Sequence, residues 1–290
     1  MGLPGKQIRA NGLNFHVVDE GHGPPVLLLH GFPDSSLVWR HQIPALVTAG
    51  FRVIAPDLRG FGASDRPPEV EAYSLPLILA DVTGILDALD VARAHVVGHD
   101  WGAAVAWMLA SFFGDRVDRL VALSVGNPDC YTRAPIEQRE KSWYMLLLQF
   151  EEVAERALSQ QDWRLFRQWT RNHSECERWI ADLSRPGALR AALNWYRANV
   201  PPHQLFAEQP TAASAMQTGT VPRIQAATLG VFSTGERYLV ESQMSESGDF
   251  VDGPWRYERL EDASHWIPLD QPERLNALLI EFLTAPAAQQ

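Results

Sequence analysis

Short apolar runs alternate along this chain with stretches whose apolar residues recur at helical spacing. Residues 7–19 alternate in polarity around the turn-forming pair Asn11-Gly12 and predict a β-hairpin. The run Val26–Leu29 predicts a buried strand feeding the loop "HGFPDSS", after which Ser35 or Ser36 is placed to cap a helix near residues 36–48. Arg52–Ala55 reads as the next strand, followed by the glycine-rich loop "DLRGFGASDRP". "LILADVTGILDAL" has helical periodicity, "AHVVGHD" reads as a strand, "WGAAVAWMLASFF" as a helix and "RLVALSV" as a strand. This alternation implies a mostly parallel sheet covered on both faces.

The rhythm then stops. From Asp129 to about Pro222 the pattern is helical throughout, rich in Trp, Arg and Glu, and closes in the stretch "EQPTAASAMQTGTVP". It resumes with strands at Thr228–Gly235 and Trp255–Glu261 and a last helix at about Pro272–Leu283. The expectation is one α/β core from residues 1–128 and 223–290, with a helical cap at 129–222 over the edge of the sheet where ligands bind in such folds.

Composition narrows the chemistry more than the fold. A formal net charge of -10 argues against nucleic acid or an anionic membrane surface as partner. Cys130 and Cys176 have neither disulfide-framework nor metal-ligand spacing, so no disulfide framework and no zinc site is expected. The first residues lack the apolar stretch of a signal peptide, and no window suits a membrane span, which together predict a cytoplasmic protein.

The candidate chemistry sits at "VVGHDWGAAVAW". A strand, then glycine, one residue, a central residue, one residue and glycine, then a helix, is the pattern of a nucleophile elbow. Here the central residue is Asp100, flanked by Gly98 and Gly102. A carboxylate is ionised at neutral pH and can displace a leaving group at a saturated carbon, forming an ester. The plainer alternative is that Asp100 only caps the helix behind it. Hydrolysis of an ester needs a general base and an oxyanion hole. His265 follows the last predicted strand and precedes the last helix, where the base belongs in this chain order. The backbone N–H groups of Trp101 and Phe32 are the expected oxyanion donors, with His30 beside them in "HGFP".

With these residues in place the chain resembles the α/β-hydrolase superfamily over almost its whole length, and within it the epoxide hydrolases. The motifs that carry the resemblance are His30–Asp34, Arg59–Asp65, Gly98–Gly102 and Ser264–Trp266, in the family's order. The resemblance implies an eight-stranded, mostly parallel sheet with helices on both faces and an inserted helical cap. It implies an epoxide converted to a vicinal diol by water, which calls for no metal and no cofactor. The expected substrate is small and apolar, with the protein a monomer or homodimer. "LNWYRAN" resembles the segment that carries one lid tyrosine, here Tyr196, and "SWYMLLLQFEEVAE" the segment that carries the other, here Tyr144. Two phenols over the aspartate suit an alkoxide, which leaves only when protonated.

Haloalkane dehalogenases share the aspartate motif, so a dehalogenase is one alternative. The other is a hydrolase-fold binding protein with little turnover. That alternative comes from a departure: the place where the family usually carries the acid that orients the histidine is Tyr238. Glu236, Glu241 and Asp129 are the available substitutes, of which Glu236 is favoured because it shares the loop after Gly235.

Overall fold

The computed structural model describes residues 2–202 and 221–286. Among these, eight strands form one sheet in the order β1-β2-β4-β3-β5-β6-β7-β8. The strands are β1 (Lys6–Ala10), β2 (Leu13–Glu20), β3 (Pro25–Leu29), β4 (Arg52–Pro56), β5 (Ala94–His99), β6 (Val117–Leu123), β7 (Ala227–Ser233) and β8 (Trp255–Leu260). β1 pairs with β2 and β2 with β4 antiparallel, and the remaining pairs are parallel.

The parallel strands read as continuous apolar runs because both faces are covered. Leu27 and Leu29 of β3 join Val96 and Leu120 in a core shared with the helices α2 (Leu75–Ala88) and α3 (Trp101–Phe112). Val26 and Leu28 point the other way, joining Val97 and Val121 in a core covered by α1 (Gln42–Thr48) and the last helix, Pro272–Thr284. One side chain in two faces each core, as strand geometry requires.

The helix expected at residues 36–48 is instead two pieces, a 3-10 turn at Ser36–Trp39 and α1. Pro44 accounts for the break. Its ring clashes with a helical carbonyl four residues back, at Arg40, so a continuous helix cannot pass through it. Ser35 does cap the first piece, accepting from the Leu37 N–H.

Between β6 and β7 the described chain forms α4 (Pro128–Arg133), α5 (Ile136–Lys141), α6 (Trp143–Leu148), α7 (Val153–Trp169), α8 (Cys176–Leu183) and α9 (Ala188–Asn199), with no strand between Ser124 and Pro202. α7 is interrupted at Gln160–Trp163, where three consecutive residues have positive φ. Most of the stretch "EQPTAASAMQTGTVP" expected to close the cap lies outside the described residues.

These helices are tied to the core by buried polar contacts. Arg178 of α8 donates to both oxygens of Asp34 at 2.9 and 2.7 Å, and the Trp179 indole N–H donates to the same carboxylate at 2.8 Å. Burial alone would raise the Asp34 carboxyl, but the Arg178 guanidinium outweighs it and lowers it. Trp195 of α9 donates to the Arg59 carbonyl at 3.0 Å. His173 Nε2, in the turn before α8, lies 3.0 Å from Asp270 in the core.

Candidate active site

Asp100 stands directly after β5 with φ 53° and ψ -122°, a conformation rare for a residue with a side chain. The turn closes only because its neighbours are small. A Cβ on Gly98 would meet the Gly102 carbonyl oxygen at 2.2 Å, and one on Gly102 would meet the Leu29 carbonyl oxygen at 2.0 Å. The Asp100 carboxylate makes no capping hydrogen bond to α3. It faces the loop after β3 instead, where Oδ1 accepts from the Phe32 N–H at 2.7 Å. The Trp101 N–H also supports the charged carboxylate.

His265, in the loop after β8, brings Nε2 to 3.4 Å from Asp100 Oδ2 and Nδ1 to 2.6 Å from Glu236 Oε2. Glu236 is thus the acid beside the imidazole. Of the other two candidates, Glu241 accepts from the Tyr257 hydroxyl at 2.7 Å, and Asp129 lies in the first turn of α4. The backbone of His265 is fixed as well. Its carbonyl lies 2.8 Å from Ser124 Oγ and 2.8 Å from His99 Nε2, both of which donate to it.

The charges are strongly coupled. Burial alone lowers the His265 imidazole, but Glu236 and then Asp100 outweigh it and raise it to about 10. Burial raises Asp100, and the hydrogen bond and charge of His265 more than offset this, so the carboxyl is lowered. The resting site therefore holds an imidazolium between two carboxylates. His99 is lowered to about 4, by burial first and the His265 charge second, so it stays neutral.

Tyr144 from α6 and Tyr196 from α9 line the same cavity as Asp100 and His265. Both phenols are raised well above their ordinary value, chiefly by burial, so they hold their protons. Their ring centroids are 6.0 Å apart. The sequence "NWYR" works because successive helical residues point about 100° apart. Trp195 anchors to the Arg59 carbonyl, Tyr196 enters the cavity, and Arg197 donates to both oxygens of Glu155 in α7 at 2.9 and 3.0 Å.

His30 is placed differently from the expectation of a substrate-binding or oxyanion role. It is fully buried, and its Nε2 accepts from the Leu58 N–H at 2.9 Å while Nδ1 faces the Gly31 carbonyl at 3.1 Å. Both ring nitrogens hold the two loops together, and His30 lines neither cavity at Asp100. Tyr238 and Trp169, outside the expected set, stand beside these residues in the walls of the site. Tyr238 sits edge-on to His265 with ring centroids 5.0 Å apart, donates its hydroxyl to the Trp169 carbonyl at 2.8 Å, and gives its backbone N–H to Glu236 Oε1 at 2.7 Å. Trp169 packs against the ring of Tyr144 at 4.8 Å. An aromatic at the family's usual acid position was the available signal for Tyr238. Trp169 carries no sequence signal that separates it from the other cap tryptophans.

Residues 24–272 match the family model described as alpha/beta hydrolase fold. Epoxide hydrolase A of Mycobacterium tuberculosis is 31% identical, covering 98% of each chain. Epoxide hydrolase 3 of Xenopus tropicalis is also 31% identical, over 96% of this chain and 76% of its own. Among solved structures, epoxide hydrolase A from Mycobacterium thermoresistibile superposes with a TM-score of 0.77 at 29% identity, covering 98% of this chain and 99% of its own. Among the described residues no helix is long and apolar enough to cross a membrane.

Proposed function

This chain belongs to the α/β-hydrolase fold family and, within it, to the epoxide hydrolases, and from that membership we propose that it converts an epoxide to a vicinal diol through an alkyl ester on Asp100. The observation that carries the reading is a carboxylate at the elbow facing two buried, protonated phenols across one cavity. We take residues 129–222 as the cap that supplies those phenols.

Asp100 Oδ1 is held by the Phe32 N–H, which leaves Oδ2 as the attacking atom. As the bond from Oδ2 to the ring carbon forms, the carbon–oxygen bond of the epoxide breaks and its electron pair moves to the ring oxygen. Tyr144 or Tyr196 donates the proton that this alkoxide needs. The phenolate left behind regains a proton from the His265 imidazolium by way of solvent.

That proton transfer follows from the charges. Esterification neutralises Asp100, one of the two carboxylates that raise His265. The imidazole falls toward its ordinary value and becomes a base only after the ester exists. Neutral His265, oriented by Glu236, then removes a proton from water, and the hydroxide attacks the ester carbonyl carbon. The Phe32 and Trp101 N–H groups receive the negative charge on Oδ1. Collapse releases the diol, whose oxygen takes the proton from His265. The carboxyl left on Asp100 then ionises and returns a proton to the imidazole.

A panel of epoxides assayed for diol, run beside Asp100→Asn, tests the proposal. Diol from the unchanged chain and none from the variant is the expected result. Halide release from haloalkanes without diol from any epoxide would select the dehalogenase alternative. A permanent protein adduct without product would select the low-turnover alternative.

A further inference from the structure

Two cavities share Asp100 in their walls, and they differ in size by more than tenfold: about 260 Å³ for one and about 20 Å³ for the other. Asp100, Tyr144, Tyr196, Tyr238 and His265 line both. The reacting groups proposed above, the carboxylate and the two phenols, therefore border both chambers.

The small chamber has room for about one water molecule. Its remaining walls are Phe32, Trp169, Thr170 and Trp266. These walls are packed from behind. Trp169 has its ring centroid 5.5 Å from that of Phe32 and 4.8 Å from that of Tyr144, and Trp266 lies 4.6 Å from Trp179. Moving any of them forces neighbouring aromatics to move, and packed interiors resist that.

The large chamber runs past Leu75, Ala104, Met108, Val125 and Val200. Both amide side chains on its wall already have partners. The Asn199 side chain bonds the Leu75 N–H and the Tyr73 carbonyl, and the Gln243 side chain bonds the backbone of Gly126. What this chamber offers a ligand is mainly apolar surface.

We propose that the substrate is a terminal epoxide, bearing hydrogens alone on one ring carbon and a single apolar arm on the other. This rests on the reading that Asp100 opens an epoxide. The arm occupies the large chamber, and the small chamber is left for the unsubstituted carbon and the hydrolytic water. Trp169 is the wall that excludes a second arm.

The isomers 1,2-epoxyhexane and trans-3,4-epoxyhexane test this directly, because they differ only in where the ring sits along the same carbon chain. For the unchanged enzyme, kcat/KM should favour the terminal isomer by about a hundredfold, within the range that one misplaced methylene is worth in a hydrophobic pocket. Trp169→Ala should reduce that preference by about tenfold. Equal rates on the two isomers in the unchanged enzyme would overturn the substrate class while leaving epoxide hydrolysis intact. A preference unaltered by Trp169→Ala in a folded variant would overturn the wall assigned to Trp169. Diol from neither isomer, nor from any other epoxide, would overturn the functional reading itself. If the variant does not fold, the isomer ratio of the unchanged enzyme decides alone.

Discussion

His265 Nδ1 lies 2.6 Å from Glu236 Oε2, although the residue at the family's usual acid position is Tyr238. The carboxylate comes from two residues earlier in the same loop, and the Tyr238 N–H holds its other oxygen at 2.7 Å. The tyrosine thus takes the acid's place in sequence and its backbone helps aim the substitute. Glu236→Gln should slow hydrolysis of the ester by about ten-thousandfold, the scale seen when a triad carboxylate is replaced by an amide. Formation of the ester, which needs no base, should change far less. Rapid-quench intact mass should then show the alkylated protein accumulating.

The imidazole between two carboxylates makes both activity and stability depend on pH. His265 is raised to about 10 in the folded resting enzyme, against an ordinary value of 6.5. Its contribution to stability is fully present below pH about 6.5 and is lost as pH rises through about 10. Urea unfolding of the unchanged chain and of His265→Gln should show their difference shrinking over that interval. In the ester state only Glu236 still raises the imidazole, so the acidic limb of kcat should lie well below pH 10. It should move lower again in Glu236→Gln.

Tyr144 and Tyr196 share one task, so each should partly cover for the other. Either Tyr→Phe change should slow ester formation by about tenfold, and the double change by about a thousandfold, within the range for general acids. Single-turnover alkylation rates check this. A double variant no slower than one single, with the other single unimpaired, would mean that one phenol does all the work.

Tyr238→Phe separates the two contacts of that residue. It removes the hydroxyl that donates to the Trp169 carbonyl but leaves the backbone N–H on Glu236. Stability should fall by about 1 kcal/mol, the usual size of one lost internal hydrogen bond. The pH profile of kcat should stay in place. A shifted profile would show that the hydroxyl acts on His265.

The fold was largely legible because its signals are local. A buried parallel strand such as β3 reads as an uninterrupted apolar run, and the elbow needs Gly98 and Gly102 whatever the rest of the chain does. Asp100, His265, Tyr144 and Tyr196, which line one cavity, were legible as candidates because they sit in short motifs or at set places in the strand order. The acid could be narrowed but not fixed, since a loop of three or four residues can aim several side chains at one nitrogen. His30 was misplaced for a related reason. A residue in a functional loop can equally hold that loop to its neighbour, and only the direction of the ring, toward Leu58 and Gly31, decides which. The size of the chamber behind Trp169 depends on contacts among α6, α7 and the loops after β3 and β8, far apart in sequence.

The most direct test of the central claim follows oxygen through one turnover. Enzyme in excess over epoxide, in ¹⁸O-water, should release a diol carrying no label, because the added oxygen comes from Asp100. The label should then appear in the peptide containing Asp100 and reach diol only in later turnovers. Labelled diol from the first turnover, with an unlabelled Asp100 peptide, would show water attacking the epoxide directly and would contradict the ester.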